Sequence, residues 1–437
     1  MSGFGIVNRY RLLFFSAIEK FSIINAYVMI AEITEIGVVM EKGKRSVVIV
    51  SMITALCLLG DSMLYVVLPM YWQEVGLTSL WEVGVVLSMN RLVRLPLNPV
   101  VGWVYQRVTV KTALSVAVLL GIATTVGYAV ASTFAMWVAI RALWGISWTF
   151  LRLGGYYVVL ECSPEKNRGQ YMGLYNGLHR LGHLGGALLG GILAELLGYH
   201  MMAVMFGILT VGAIVPLGML KNIRIEGLAE ERGSVQLPKT IWLKSSFLWL
   251  MATGFVVTML YYGMLSTILS PLVHLHTEPI VIGAGVVAGA TALSGILQAI
   301  RWAWEPWGAP WVGKVSDRFA DRSSMLAASF GVTAVLVGMM TLDVPMLAWI
   351  LIVLGVQMGG TSLTTLADSA AADRATSIGR MSVMTWFAFA FDLGAAIGPL
   401  FALFLVSYAG LHSVCWVGAA SLMICAIYWR QDKGNIA

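Results

Sequence analysis

The chain has 437 residues, of which 59% are hydrophobic and 11% are charged, and its formal net charge is +6. A soluble globular protein carries about 25% charged residues, so this chain could not cover a water-facing surface, and lipid is the expected outer solvent. The basic residues lie in short clusters between apolar runs rather than on one face, so nucleic acid is not an expected partner.

The first 44 residues come before the first long apolar run and are predicted to be a cytoplasmic segment. Glu19, Lys20, Glu32 and Glu35 make a buried span there unfavourable. One alternative is an amphipathic helix on the membrane surface. Another, which we favour, is that translation starts at Met40, where a short basic start (EKGKR) leads directly into the first apolar run. A native peptide from residues 1–39, detected by mass spectrometry, would disprove this start site.

Twelve apolar runs follow, each long enough to cross about 30 Å of hydrocarbon as a helix. They lie near residues 46–71, 80–104, 112–131, 134–158, 170–194, 200–220, 243–272, 280–306, 323–341, 345–366, 380–407 and 411–429. We predict an all-α membrane protein with two six-helix bundles, residues 45–221 and 241–430. A cytoplasmic linker, 222–240, joins them, and a tail, 431–437, follows.

Basic residues occur in alternate loops between these runs. One set of loops contains Arg107, Lys111, Lys166, Arg168, Lys221, Arg224, Arg232, Lys239, Lys314, Arg318, Arg322, Arg374, Arg380, Arg430 and Lys433. The other set has no Lys or Arg. The positive-inside rule therefore places both termini and the linker in the cytoplasm, with the protein in a bacterial-type inner membrane.

The two sets of six runs resemble each other. The residues that align at a nearly constant offset are Pro99 with Pro310, Gly102 with Gly313, Arg107 with Arg318, Arg168 with Arg380, Met172 with Met384 and Gly182 with Gly394. A repeat of this kind predicts a solute site between the halves, near the middle of the membrane.

A loop motif follows the second run of each half. The second half carries Gly313, Asp317, Arg318 and Arg322; the first keeps Gly102, Arg107 and Lys111 but has Gln106 at the acidic position. From about residue 45 to 430 the chain resembles the major facilitator superfamily of secondary transporters. That resemblance implies that the loop motif acts as a charge latch between helices, and the missing carboxylate puts the first-half latch in doubt.

Further motifs in the fourth, fifth and eleventh runs also resemble this family. Arg141, with Gly145 one turn on, resembles its proton-linked arginine motif. Run five contains Gly182, Gly186 and Gly190, and run eleven contains Gly394, Gly398 and Pro399. Both sets resemble the glycine-rich motif of the proton-coupled antiporter branch. The resemblance implies gating glycines and proton-driven exchange, although small residues at this spacing also serve ordinary helix packing.

Ionisable side chains deep in the runs are costly and usually face a wet interior. We predict that Asp61 carries a proton and that Arg141 tunes it. The alternative is that Asp61 pairs with an arginine as a structural lock.

Other polar side chains are predicted to line the cavity. They are Arg91, Arg94, Arg180, His179, His183, Tyr261, Tyr262, Gln298, Gln357 and Asp392. Arg180 aligns with Asp392 across the repeat, which suggests a pair between the halves or two opposing cavity faces. The excess of arginine favours an anionic solute; alternatively, Arg91 or Arg94 pairs with loop carboxylates and never touches solute. Trp302, Trp304, Trp307 and Trp311 indicate an interface belt, with the earlier ones able to line the cavity mouth.

Proton-coupled export of a small organic solute is the predicted function. The alternatives are a proton symporter for uptake of an organic anion and a transporter-like sensor without flux. The sequence has no cluster of nucleophile, paired acids or metal ligands, so an enzyme is not predicted, nor are a metal and a cofactor. The scattered residues Cys57, Cys162, Cys415 and Cys425 indicate core packing rather than disulfides. The expected partners are the solute, protons and the bilayer, with the protein as a monomer.

Overall fold

The computed structural model describes residues 42–164, 168–224, 245–276, 280–282, 286–318, 322–378 and 380–431. The predicted start at Met40 and nearly all of the predicted linker lie outside the described residues. Asn222 to Arg224, at the beginning of that linker, are not helical.

Twelve long helices run through the described ranges. They are α1 Lys42–Tyr71, α2 Leu80–Tyr105, α3 Val110–Tyr128, α4 Phe134–Cys162, α5 Arg168–Leu197, α6 Tyr199–Met219, α7 Ser245–His276, α8 Ala290–Arg318, α9 Arg322–Met339, α10 Met346–Ile378, α11 Arg380–Ala409 and α12 Leu411–Gln431. A short break at Gly212 and Ala213 interrupts α6, and α7 contains a π-helical turn, Met259–Met264. The predicted fold class is confirmed.

Eight of these helices are long and apolar enough to cross a membrane by length and composition alone: α1, α3, α4, α6, α7, α10, α11 and α12. The apolar part of α9, Ser323–Met339, is shorter. The remaining helices, α2, α5 and α8, contain several charged side chains each. These charges exclude them from the apolar class, and the three helices supply half of the charged side chains that line the central cavity described below.

The beginning of the eighth run is not helical, which corrects the predicted span 280–306. Residues Ile280–Ile282 and Val286–Ala288 form an antiparallel pair of strands, β1 and β2, with Ile280 opposite Ala288. Both strands contain β-branched residues, and the sequence between them contains two glycines, a composition that favours a hairpin over a helix. Helix α8 begins only at Ala290.

Close approach between α1 and α5 depends on the predicted glycines. A Cβ added at Gly182 or Gly186 would collide with the carbonyl oxygens of Ala55 or Leu59, and one at Gly190 would lie 2.5 Å from the Cβ of Met63. The second half repeats this contact between α7 and α11. There, a Cβ at Gly394 would collide with Phe255, and one at Gly398 would lie 2.5 Å from the Cα of Gly263, next to Pro399 in α11.

Replacing Gly186 with valine is expected to lower the melting temperature of the purified protein. The new Cβ would lie 2.7 Å from the Ser62 Cβ and still closer to the Leu59 backbone, so α1 and α5 would have to separate. Overpacking of this kind typically costs about 1–3 kcal/mol. Gly173→Val is the matched control, because Gly173 lies on the same helix with nothing near its Cβ position. Equal melting temperatures for the two variants would contradict the predicted packing.

The two halves, α1–α6 and α7–α12, meet mainly where α2 crosses α11 and α5 crosses α8, with a smaller contact between α1 and α7. The contacts cluster toward the end of the bundle opposite the basic loops. Ser88 accepts a hydrogen bond from the Leu400 backbone N–H (3.1 Å), and the Ser270 hydroxyl donates to the Val66 carbonyl (2.8 Å). The halves are therefore held together at the end of the bundle away from the basic loops.

Candidate functional site

A cavity of about 560 Å³ lies between the two halves. Its lining comes from both halves and extends toward the basic ends of the helices, as far as Tyr156 on α4 and Met384 on α11. The charged lining residues are Asp61, Arg91, Arg94, Arg152, Arg180, Arg301, Asp368 and Asp392. Polar and apolar helices alike thus bring charged side chains to one cavity.

Asp61 and Arg141 form a buried ion pair at the wall of this cavity. The Arg141 Nη1 lies 2.5 Å from the Asp61 Oδ1, and Arg141 is fully buried. The same carboxylate oxygen accepts a hydrogen bond from the Asn90 amide (3.3 Å). Arg141 also donates to the Tyr128 hydroxyl and the Val86 carbonyl (both 3.2 Å). A proton arriving at Asp61 would have to compete with Arg141 for the carboxylate.

Unlike Asp61 and Arg141, which both belong to the first half, two other ion pairs connect the two halves. Neither of them is the predicted pair of Arg180 with Asp392. Arg180 on α5 pairs with Glu305 on α8 (3.0 Å), and Arg152 on α4 pairs with Asp392 on α11 (3.2 Å). Arg180 and Asp392 both line the cavity but each takes another partner. Their equivalence in the repeat does not pair them, because repeat-equivalent residues occupy matching places in opposite halves.

Three cavity arginines have no carboxylate within ion-pair distance among the described residues: Arg91, Arg94 and Arg301. Arg91 Nη1 donates to the Ala395 carbonyl (3.0 Å), and Arg301 Nη1 donates to the Tyr261 carbonyl (3.1 Å). The Nε of Arg94 is buried without a hydrogen-bond partner. Within the described part of the chain, these three positive charges thus have no direct ion-pair partner.

Aromatic side chains also line this cavity. The His183 ring stacks on Trp302 (4.5 Å between centroids), and Tyr262 lies between Trp302 and Phe391 at 6.2 and 5.7 Å. His179 contacts the Tyr175 ring at 4.8 Å. Both histidines line the cavity, as do Tyr261, Tyr262 and Gln298. Of the four tryptophans assigned to a belt, Trp302 lines the cavity, whereas Trp307 and Trp311 are exposed at the outer surface.

Gln357 lies apart from this cavity. It is 7% exposed, its Oε1 has no hydrogen-bond partner, and it is not among the residues that line the cavity. Asp368, about three turns farther along α10 and on nearly the same side of the helix, lines the cavity instead. The two residues therefore differ in depth along α10 and not in the face they occupy. Asp368 was missed because it lies beyond the predicted span, in a helix that continues to Ile378.

The end of the bundle opposite the basic loops contains a further polar contact between the halves, formed by Glu195. The Glu195 carboxylate on α5 accepts three backbone hydrogen bonds from the start of α8: Gly289 (2.7 Å), Thr291 (2.8 Å) and Ala292 (3.0 Å). The first N–H groups of a helix have no partner within the helix, and the helix dipole favours negative charge there. Glu195 therefore caps a helix of the other half, which no sequence motif indicated.

The loop motifs are only partly within the described side chains. Arg107 lies over the Trp103 ring (3.6 Å), and Lys111 donates to the Gly218 carbonyl (3.0 Å), so the first-half motif contacts its own half. Gly102 and Gly313 lie within α2 and α8. Asp317, Arg318 and Arg322 stand at the α8–α9 junction, and their side chains lie outside the described part.

In the described ranges, no group of three His, Cys, Asp or Glu side chains could hold a metal ion. The four cysteines are free, and three of them are buried. An apolar exterior around two repeated six-helix halves with a charged central cavity is the architecture of a membrane transport protein.

Comparison with known proteins identifies the family. The model of the Major Facilitator Superfamily matches residues 50–379 and again 306–434. The chain belongs to the major facilitator superfamily, which consists of transporters and not of enzymes. A Staphylococcus aureus protein, the staphyloferrin B transporter, is 24% identical over 64% of this chain and 68% of its own length. An uncharacterized MFS-type transporter of Methanocaldococcus jannaschii is 27% identical, but the match spans 48% of that protein and 42% of this chain.

Solved transporter structures share the fold at low sequence identity. A bacterial homologue of the human lysosomal transporter Spinster, in an inward-facing and unoccupied conformation, has a TM-score of 0.70 and 14% identity, covering 91% of this chain and 100% of that one. A POT family transporter in complex with 5-aminolevulinic acid has a TM-score of 0.68 and 12% identity, covering 90% and 96%. At these identities the likeness shows the fold alone.

Proposed function

We propose that this protein exports a small organic solute in exchange for protons, by rocking its two halves around the central cavity. The observation that carries the proposal is the cavity itself, which is charged, lined by both halves and crossed by ion pairs between them. Sites of this kind at the interface of repeated halves bind solute while the halves rearrange around them.

The cavity opens toward one end of the bundle only, as expected for one state of a transport cycle in which the halves rock. The halves touch at the end opposite the basic loops, and the lining reaches toward the basic end. If the basic loops are cytoplasmic, as the positive-inside rule predicts, this state is open to the cytoplasm of a bacterial-type cell. Both termini are then cytoplasmic, and one chain, as a monomer, contains the complete cavity.

The coupling ion in this proposal is a proton carried by Asp61. Its ion pair with Arg141 at the cavity wall can exist only while Asp61 is ionised. Protonation would release Arg141 and favour the rearrangement, and deprotonation would re-form the pair. Glycines at the α1–α5 and α7–α11 contacts would let the helices slide as the halves move.

Flux measured in membrane vesicles of opposite orientation tests this proposal. Inverted vesicles containing the overproduced protein are given a cell extract of small molecules and an acidic interior. We expect solutes identified by mass spectrometry to accumulate inside, and a protonophore to abolish the accumulation. Vesicles without the protein are the control. If the protonophore does not reduce the accumulation, proton coupling is contradicted. If the protein causes no accumulation in vesicles of either orientation, transport is contradicted.

Proton-driven uptake of an organic anion is a second candidate, favoured by the arginines that lack a protein counter-ion. It predicts the opposite sidedness: right-side-out vesicles with an acidic exterior would accumulate the solute, and inverted vesicles with an acidic interior would not.

A further inference from the structure

The charges that line the cavity do not balance. Among the described residues, five arginines and three aspartates line it, and including the paired residues just outside the lining, Arg141 and Glu305, gives six against four. The surplus is two positive charges either way, with the histidines neutral. A surplus of positive charge in a cavity between low-dielectric walls favours a ligand that carries negative charge.

One part of the surplus lies on the first half. Arg91 and Arg94 are one turn apart on α2 and both line the cavity. Arg91 uses one N–H on the Ala395 carbonyl, and the buried Nε of Arg94 has no partner. A guanidinium has five N–H donors in a rigid fork that fits a carboxylate or phosphate. Donors thus remain here for an acidic group.

The other part of the surplus lies on the second half. Arg301 on α8 is 7% exposed and touches rings instead of acids: Tyr262 at 4.7 Å, Trp302 at 5.3 Å and Tyr261 at 5.6 Å from its Cζ. The rings hold the guanidinium in place by cation–π contact. They do not neutralise it.

An aromatic ring lies beside each of the two arginine positions. Tyr65 lies beside Arg91, with the Arg91 Cζ 5.5 Å from its ring. Tyr262 lies beside Arg301 and continues into Phe391 and Trp302. A ligand that is bound at both positions would therefore also contact an aromatic ring at each of them.

We infer that the solute is an organic dianion whose two acidic groups are separated by an apolar body, one group bound by Arg91 and Arg94 and the other by Arg301. This inference rests on the proposed transport function and names the solute class of the same cavity. A dianion compensates the surplus of two charges. Because its ends contact opposite halves, it would also hold them together while it is bound.

Binding to the purified full-length protein in detergent tests this solute class directly. The probes are isophthalate and aliphatic dicarboxylates from succinate to azelate, with benzoate as the monoanion, isophthalamide as the neutral analogue and m-xylylenediamine as the dication. We expect at least one dianion to bind about tenfold or more tightly than benzoate, in titration calorimetry and as a rise in melting temperature. The neutral and dicationic probes should not bind.

Substitutions that remove either a positive or a negative charge from the cavity test the inference further. Arg94→Gln and Arg301→Gln should each weaken dianion binding about tenfold. Asp368→Asn, which removes a lining carboxylate without an ion pair among the described residues, should strengthen it several-fold. Arg301→Lys keeps the charge if the glutamine variant does not fold, and should retain part of the affinity. Arg107→Gln is the matched control, because Arg107 is an exposed arginine stacked on Trp103 outside the cavity.

The failures of the two proposals are distinguishable. The dianion inference is overturned if no dianion binds at millimolar concentration, if benzoate or the neutral or cationic probe binds as well, or if Arg107→Gln weakens binding as much as Arg301→Gln. A neutral or cationic solute moved in the vesicle assay would then leave the transport proposal intact. Dianion binding with no flux would instead refute transport alone.

Discussion

Replacing Asp61 with asparagine is expected to abolish proton-driven accumulation and to lower the melting temperature of the protein. Asparagine cannot ionise, so the variant cannot alternate between a paired and a protonated carboxyl group. It also leaves the fully buried Arg141 without its counter-ion. Removing one partner of a buried pair typically costs about 3–5 kcal/mol. Vesicle flux under a pH gradient and thermal unfolding in detergent measure the two effects separately.

A double variant separates the proton carrier from the structural lock. Asp61→Asn together with Arg141→Gln removes both charges, so much of the lost stability should return while proton-driven flux stays absent. A carrier role also predicts that the double variant still exchanges labelled for unlabelled solute without a pH gradient. Glu82→Gln is the control, because the buried Glu82 carboxylate only bonds to Thr78 at the start of its own helix. Full proton-dependent flux in Asp61→Asn would end the carrier proposal.

The helices were predictable because each crossing demands a long apolar run, and because lysine and arginine mark alternate loops. The prediction failed where length and local preference disagree. Residues 280–288 are apolar enough to extend α8, but β-branched residues on either side of two glycines form a strand pair instead. Similarly, the α10 prediction ended at 366 because polar residues follow, yet the helix continues and presents Asp368 to the cavity.

The depth of each charged side chain in the membrane could be predicted from the sequence, but its ion-pair or hydrogen-bond partner could not. The position of Asp61 within α1 and of Arg141 within α4 follows from counting residues along each run. Which acid meets Arg180 depends on the rotation and crossing of α5 and α8, and here it is Glu305 and not Asp392. The cap by Glu195 is even less visible, because its partners are backbone N–H groups of a helix nearly a hundred residues away. Such pairs are fixed by packing between the halves.

Replacing Glu195 with glutamine is expected to let the two halves separate more often at the end opposite the basic loops. Its carboxylate is the negative cap of α8, and it must leave the Gly289, Thr291 and Ala292 N–H groups if the halves separate at that end. Hydrogen bonds to a charged group contribute about 1.5–3 kcal/mol each. A neutral amide would retain only part of this, so the population open at the end opposite the basic loops should rise about tenfold or more.

Labelling of a single cysteine measures this shift. In a background without the four native cysteines, Ser266→Cys places a thiol in the cavity lining on α7. A membrane-impermeant maleimide applied from the side opposite the basic loops should label it faster when Glu195→Gln is also present. Glu74→Gln is the matched control, since Glu74 is an exposed acid in the loop after α1, toward the same end of the bundle. Because a cap that merely stabilises α8 would lower the melting temperature without exposing the cavity, unchanged labelling in Glu195→Gln would show that Glu195 does not hold the halves together.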